Sequence, residues 1–125
     1  MFHRKFEIDD CVEDDTAVFT VYGTFLRKSD LARLQERLEH FAGLGISRVV
    51  IDVSGVSLFG AAFLGWLVSS RRNLESSGGD IRLVGVSSRL KRVLRVTRLS
   101  PIFRRYKTVA EAVSSFASRP VCNAA

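Results

Sequence analysis

The stretch Val49-Val50-Ile51-Asp52-Val53-Ser54-Gly55-Val56-Ser57-Leu58-Phe59-Gly60-Ala61-Ala62-Phe63-Leu64-Gly65-Trp66-Leu67-Val68 constrains the fold of this chain more than any other. Val49 to Val53 is apolar and largely β-branched apart from Asp52, the composition of a central strand buried on both faces. Ser54 to Gly60 supplies turn residues, and Ala61 to Leu74 carries an apolar helical pattern with no proline and one internal glycine. Strand, loop and helix in that order place the loop beyond the carboxyl end of the strand, where such units expose functional groups. A reactive loop there would carry a hydroxyl, thiol, imidazole or carboxylate at the helix start, where free backbone N–H groups favour negative charge. Phe59, Gly60, Ala61, Ala62 and Phe63 offer none of these. The loop reads as a packing surface.

The flanking segments complete one α/β domain. Phe6 to Val12 begins with the alternation of a half-exposed strand, Glu13-Asp14-Asp15 makes a charged turn, and Ala17 to Tyr22 forms a second strand ending at Gly23. Together they predict an antiparallel hairpin. Ser29 is placed to cap a helix from Asp30, with Leu31, Leu34, Leu38 and Phe41 on its inner face, stopped by Gly43 and Gly45. After the central unit, Ser76 to Asp80 turns the chain into a strand at Ile81 to Val86. Ser87 or Ser88 caps a third helix over Leu90, Val93 and Leu94, Ile102 and Phe103 suggest a short edge strand, and Thr108 caps a last helix over Val109, Ala112, Val113 and Phe116. The expected order is β-β-α-β-α-β-α-(β)-α: a mixed sheet of four to five strands with about four helices, because crossovers through helices favour parallel neighbours. The domain spans 1–117, and 118–125, without periodicity, reads as a disordered tail.

A chain of 125 residues suffices for one core that buries roughly two-thirds of the unfolded surface. No apolar run approaches the roughly 20 residues of a membrane span, and the first residues lack the core of a signal peptide, so a cytoplasmic location is expected. Cys11 and Cys122 are too few for a disulfide framework and read as reduced thiols. His3 and His40 have no metal-ligand spacing around them, so no metal site and no cofactor are expected. The net charge of +6 is uneven: residues 1–62 hold seven Lys/Arg and ten Asp/Glu, residues 63–125 twelve and three. The basic second half suits an acidic partner, an anionic lipid surface or nucleic acid.

Val49 to Val56, the small-residue helix start, Leu64-Gly65, and Gly78-Gly79-Asp80-Ile81-Arg82-Leu83-Val84-Gly85-Val86 together resemble the STAS domain, the fold of the bacterial anti-sigma factor antagonists. Val93 to Leu99 and Tyr106 to Ala112 match its later segments, so the resemblance runs from about Phe6 to Phe116. In phosphorylatable members the loop reads Asp-Ser-Ser/Thr-Gly-Leu-Gly, and a partner kinase that is also the anti-sigma factor phosphorylates the second hydroxyl residue. The matching positions here are Gly60, Ala61, Ala62, Phe63, Leu64 and Gly65. Ala62 stands at the acceptor position and carries no hydroxyl. The acidic residues usual after the second strand are absent too, since Thr24, Phe25 and Leu26 follow Gly23. The resemblance thus implies the fold and a protein partner, without the serine phosphoswitch.

Phe59, Phe63 and Trp66 are the candidate anchor for that partner, with Gly60, Ala61 and Ala62 allowing close approach. The other reading of the rings is core, packed with Leu64, Leu67 and Val68. Lys91, Arg92, Arg95 and Arg98 fall on one face of the third helix, extended by Arg104, Arg105 and Lys107: a solvated face or an anionic-partner patch, with no recognition motif for nucleic acid. Asp52 reads as a hydrogen-bond acceptor for the following turn, and Ser54 and Ser57 as turn residues. Gly55-Val56-Ser57-Leu58-Phe59 lacks the second glycine of a nucleophile elbow, and no convergent titratable groups suggest an enzyme. The expected function is therefore non-catalytic protein–protein interaction resembling an anti-sigma factor antagonist, with a kinase-like anti-sigma factor as partner. The alternative is a STAS accessory subunit binding the ATPase of a bacterial ABC-type lipid transport complex, touching the membrane only through that complex; exposed aromatics would also suit a homodimer.

Overall fold

Alternation of apolar strands with amphipathic helices gives the observed order, in a computed structural model that describes residues 6–117. It runs β1 (Phe6–Glu13), β2 (Thr16–Phe25), α1 (Lys28–Gly43), β3 (Arg48–Phe59), α2 (Ala61–Glu75), β4 (Asp80–Val84), α3 (Ser88–Val96), β5 (Arg104–Tyr106) and α4 (Val109–Ala117). The five strands form one sheet in sequence order, β1 antiparallel to β2 and all other neighbours parallel. The expected tail, with Cys122, and His3 at the other end lie outside the described residues.

The hairpin forms because Asp14 and Asp15 both adopt positive φ, 49° and 61°, the left-handed pair that a two-residue turn needs and that aspartate tolerates. Strand parity then sorts the core. Ala17, Phe19, Val21, Val49, Ile51, Val53, Ile81 and Leu83 face α1, α2 and α3, while Val18, Val50 and Val84 face Ala112, Val113 and Phe116 of α4. Val49, Val50 and Ile51 are all fully buried, as a strand covered on both faces requires.

Several boundaries differ from the sequence reading: β2 runs on past Gly23 to Phe25, β4 ends at Val84 and not Val86, and three further elements shift. The α1 helix begins at Lys28, with Arg27 at the cap position; buried Asp30 folds back to accept from the Leu26 and Arg27 N–H groups at 3.0 and 3.1 Å, so Ser29 is not the cap. β5 falls at Arg104–Tyr106, because Phe103 is taken into the core. The largest difference is that β3 continues to Phe59, pairing Gly55 with Tyr22 and Phe59 with Phe25 across two register shifts. Gly55 makes this possible: any Cβ there would overlap the Tyr22 ring. Ser54 and Ser57 therefore lie on a strand and not in a turn. Asp52 does accept from Ser54, from its N–H at 3.0 Å and its hydroxyl at 2.7 Å.

Candidate functional site

Strand extension shrinks the loop before α2 to Gly60, whose N–H donates to the Phe25 carbonyl at 3.2 Å. Gly60 caps α2 with no side-chain hydrogen bond, and its carbonyl accepts from the Phe63 and Leu64 N–H groups. From there, Phe63, Trp66, Leu67, Ser70 and Leu74 form the buried stripe of α2, the i, i+3, i+4, i+7 face that a helix turns to a sheet.

That periodicity corrects the exposed aromatic anchor. Phe63 is fully buried, its ring centroid 5.8 Å from that of Phe25 and 6.2 Å from that of Phe59. It has no surface to offer. Trp66 is 9% exposed, and its indole N–H donates to Gln35 Oε1 at 2.6 Å, tying α2 to α1. Phe59 is half-buried beside Phe63. What the first nine residues of α2 do expose is Ala61, Gly65 and Ser69, with Ala62 half-buried.

Small side chains there leave a groove between α1 and α2 of about 700 Å³. Leu31 and Trp66, both buried, make its floor; Ala32, Ala61, Ala62 and Gly65 line it, and Lys28 is the one charged lining residue among those described. Sequence periodicity marks each helix by itself and gives no view of the gap between two helices. Leu58, 41% exposed, and Leu26, 46% exposed and against Gly60, add apolar surface at the strand ends. Leu58 falls in the stretch that reads as a turn, and Leu26 in the connection after Gly23, to which the sequence assigns no element.

The basic patch divides. Ser87 caps α3 by accepting from the Leu90 N–H at 3.1 Å, Leu90 and Leu94 are buried, and Lys91, Arg92 and Arg95 are exposed. Arg98 leaves that face, because the helix ends at Val96 and Arg98 takes φ 63° where the Leu99 N–H turns back to the Leu94 carbonyl at 2.8 Å. Lys91 shares a cavity with Arg105 and Lys107, Arg92 lines another with Arg89, and Arg104 lies elsewhere, at the amino ends of the strands. No group of three or more potential metal ligands occurs among the described residues. Cys11 is exposed and free; partial burial, then the Glu13 and Asp10 carboxylates, raise its thiol above the ordinary value. No helix is long and apolar enough to cross a membrane among the described residues.

Known proteins repeat this architecture. The family model for the STAS domain matches residues 8–112. The TM1081 homolog of Thermotoga neapolitana, which is named for the anti-sigma factor antagonists, is 30% identical over 81 residues, covering 65% of this chain and 72% of that protein. In fold, the solution structure of TM1081 superposes with a TM-score of 0.79 at 22% identity, over 95% of each chain. The anti-sigma factor antagonist SpoIIAA in its unphosphorylated form gives 0.72 at 16% identity, over 91% of this chain and 99% of that one. This chain is thus an anti-sigma factor antagonist-like member of the STAS domain family.

Proposed function

We propose that this domain acts without catalysis, in the cytoplasm, by docking a protein partner on the surface formed by the start of α2 and the adjoining part of α1. The observation that carries the reading is the apolar groove itself. It holds a buried Trp66 and Leu31 floor between small residues, and its wall contains Ala62, which the sequence resemblance puts at the position of the family's phosphoacceptor. A partner side chain entering it would bury apolar area against a preformed floor, the arrangement from which interfaces draw most of their energy. Phe59, Gly60 and Ala61 border the approach, with Leu26 and Leu58 adding area. Phe63 serves from beneath, by holding the start of α2 against the sheet. The partner is a kinase-like anti-sigma factor. With alanine at position 62 that kinase has no acceptor here, and the domain behaves as a permanently unphosphorylated antagonist.

Gly65→Gln tests the surface. Nothing lies within 4 Å of a Cβ built at Gly65, so the variant fills the groove and leaves the fold intact. Affinity capture of the tagged protein from its host, read by mass spectrometry, is expected to recover a kinase-like anti-sigma factor, with binding weakened about tenfold or more by Gly65→Gln, equivalent to about 1.4 kcal/mol. Recovery of an ABC ATPase instead would move the domain to lipid transport, and undiminished binding by the variant would move the interface elsewhere.

A further inference from the structure

The amino ends of β3, β4 and β5 carry arginines on the sheet face covered by α4. Arg48 opens β3, Arg104 opens β5, and Arg104 pairs in register with Arg82 of β4. Arg48 and Arg82 share the strand parity of Val50 and Val84, which pack on α4. These three guanidinium groups line one cleft of about 560 Å³, together with Arg71, Glu75, Asp80 and Phe116.

Both carboxylates in the cleft are already engaged. Asp80 accepts from Arg71 Nε at 3.1 Å and Arg82 Nε at 3.4 Å, and Glu75 pairs with Arg71 at 3.1 Å. Arg82, with a 12% exposed side chain, also donates to the Ser115 hydroxyl at 2.5 Å, and its guanidinium lies 3.9 Å from the Phe116 ring centroid. It thereby holds the last turn of α4, where the helix dipole favours a cation. That structural role needs one arginine. Arg48 and Arg104 meet no carboxylate among the described residues, and Arg48 lies 5.9 Å from the Phe116 centroid.

Among the described residues, four guanidinium groups against two carboxylates leave the cleft a net positive charge of two. Guanidinium N–H pairs match a phosphate group in bidentate fashion, and the cleft has the size of small-ligand sites. Its charges are gathered in a concavity between strand ends and the end of α4, which favours a small molecule over an extended polyanion. We propose that this cleft binds a phosphate-bearing small molecule, whose oxyanion sits between Arg48 and Arg104 against the Arg82–Phe116 stack. The site lies at the opposite ends of the strands from the α1–α2 groove and does not depend on what docks there.

Titration of the full chain with inorganic pyrophosphate, followed by amide NMR shifts, tests the site. Saturable shifts are expected at Arg48, Arg82 and Arg104. Arg48→Gln with Arg104→Gln is expected to weaken binding about tenfold or more, as loss of charge-assisted contacts does. Arg104→Gln alone, on an exposed edge strand, gives a smaller loss and serves if the double variant is unstable. Lys91→Gln with Arg95→Gln on α3 leaves the affinity unchanged. Non-saturable shifts, indifference to the Arg48 and Arg104 variants, or equal weakening by the α3 variants would overturn the proposal. So would binding confined to phosphatidylcholine vesicles doped with phosphatidic acid, which would make the ligand a lipid headgroup.

Discussion

The two ends of the parallel strands are built from opposite materials. Beyond the carboxyl ends of β2 and β3, the α1–α2 groove is lined by alanines, Gly65, Leu31 and Trp66 with a single lysine. At the amino ends of β3, β4 and β5, arginines and two carboxylates surround a ring and a hydroxyl. On the proposed reading, a partner at the first end would be chosen by shape and apolar area, which salt hardly weakens. A ligand at the second would be chosen by charge, and its affinity would fall as ions screen the field. One sheet would then separate two kinds of recognition at opposite ends of its strands.

The largest expected effect probes whether the ring beneath the groove is core. Phe63→Ala removes a fully buried ring packed on Phe25 and Phe59, and urea unfolding should show a loss of about 4 kcal/mol. An unchanged midpoint would mean that the ring is not core and would restore it as a partner anchor. At the other end Asp80→Asn removes the carboxylate shared by Arg71 and Arg82. Breaking a buried pair is costly, but Asp80 keeps 20% side-chain exposure, and Glu75 remains for Arg71. Thermal and urea denaturation should give a loss of about 2 kcal/mol. No change would reduce the arginine cluster to a solvated surface, and the contrast between the two ends would weaken.

Much of the scaffold was legible in the sequence because it depends on local periodicity and turn chemistry. Val49 to Val53 reads as a buried strand from its side chains alone, the cap of α3 narrows to Ser87 or Ser88, and Thr108 announces its own cap, accepting from the Glu111 N–H at 3.1 Å. The extension of β3 was not legible. Its reason is the fit of Tyr22 over Gly55, a contact between residues far apart in the chain. The direction of Phe63 was ambiguous for a related reason: helical spacing shows that Phe63 and Trp66 share a face, and only the position of the sheet decides that this face points inward. Neither site could be read as a site. The groove exists between two helices, and the cleft is assembled by strand register, which brings Arg48, Arg82 and Arg104 together from separated segments.

The last test uses the treatment of buried polar groups at the two ends. In the cleft, the nearly buried Arg82 finds a carboxylate, a hydroxyl and an aromatic face. On α2, on the same buried stripe as Phe63 and Trp66, the Ser70 hydroxyl is buried at 2% residue exposure with no hydrogen-bond partner among the described residues. An unmet hydroxyl loses its water without recompense, so Ser70→Ala should stabilise the domain by about 1 kcal/mol in urea unfolding. Alanine also suits a helix interior better than serine, and it keeps the volume nearly unchanged, so no cavity offsets the gain. A destabilised variant would mean that Ser70 has a partner in solution. The apolar end would then contain a polar tie like that between Trp66 and Gln35, and the contrast between the ends would be one of degree.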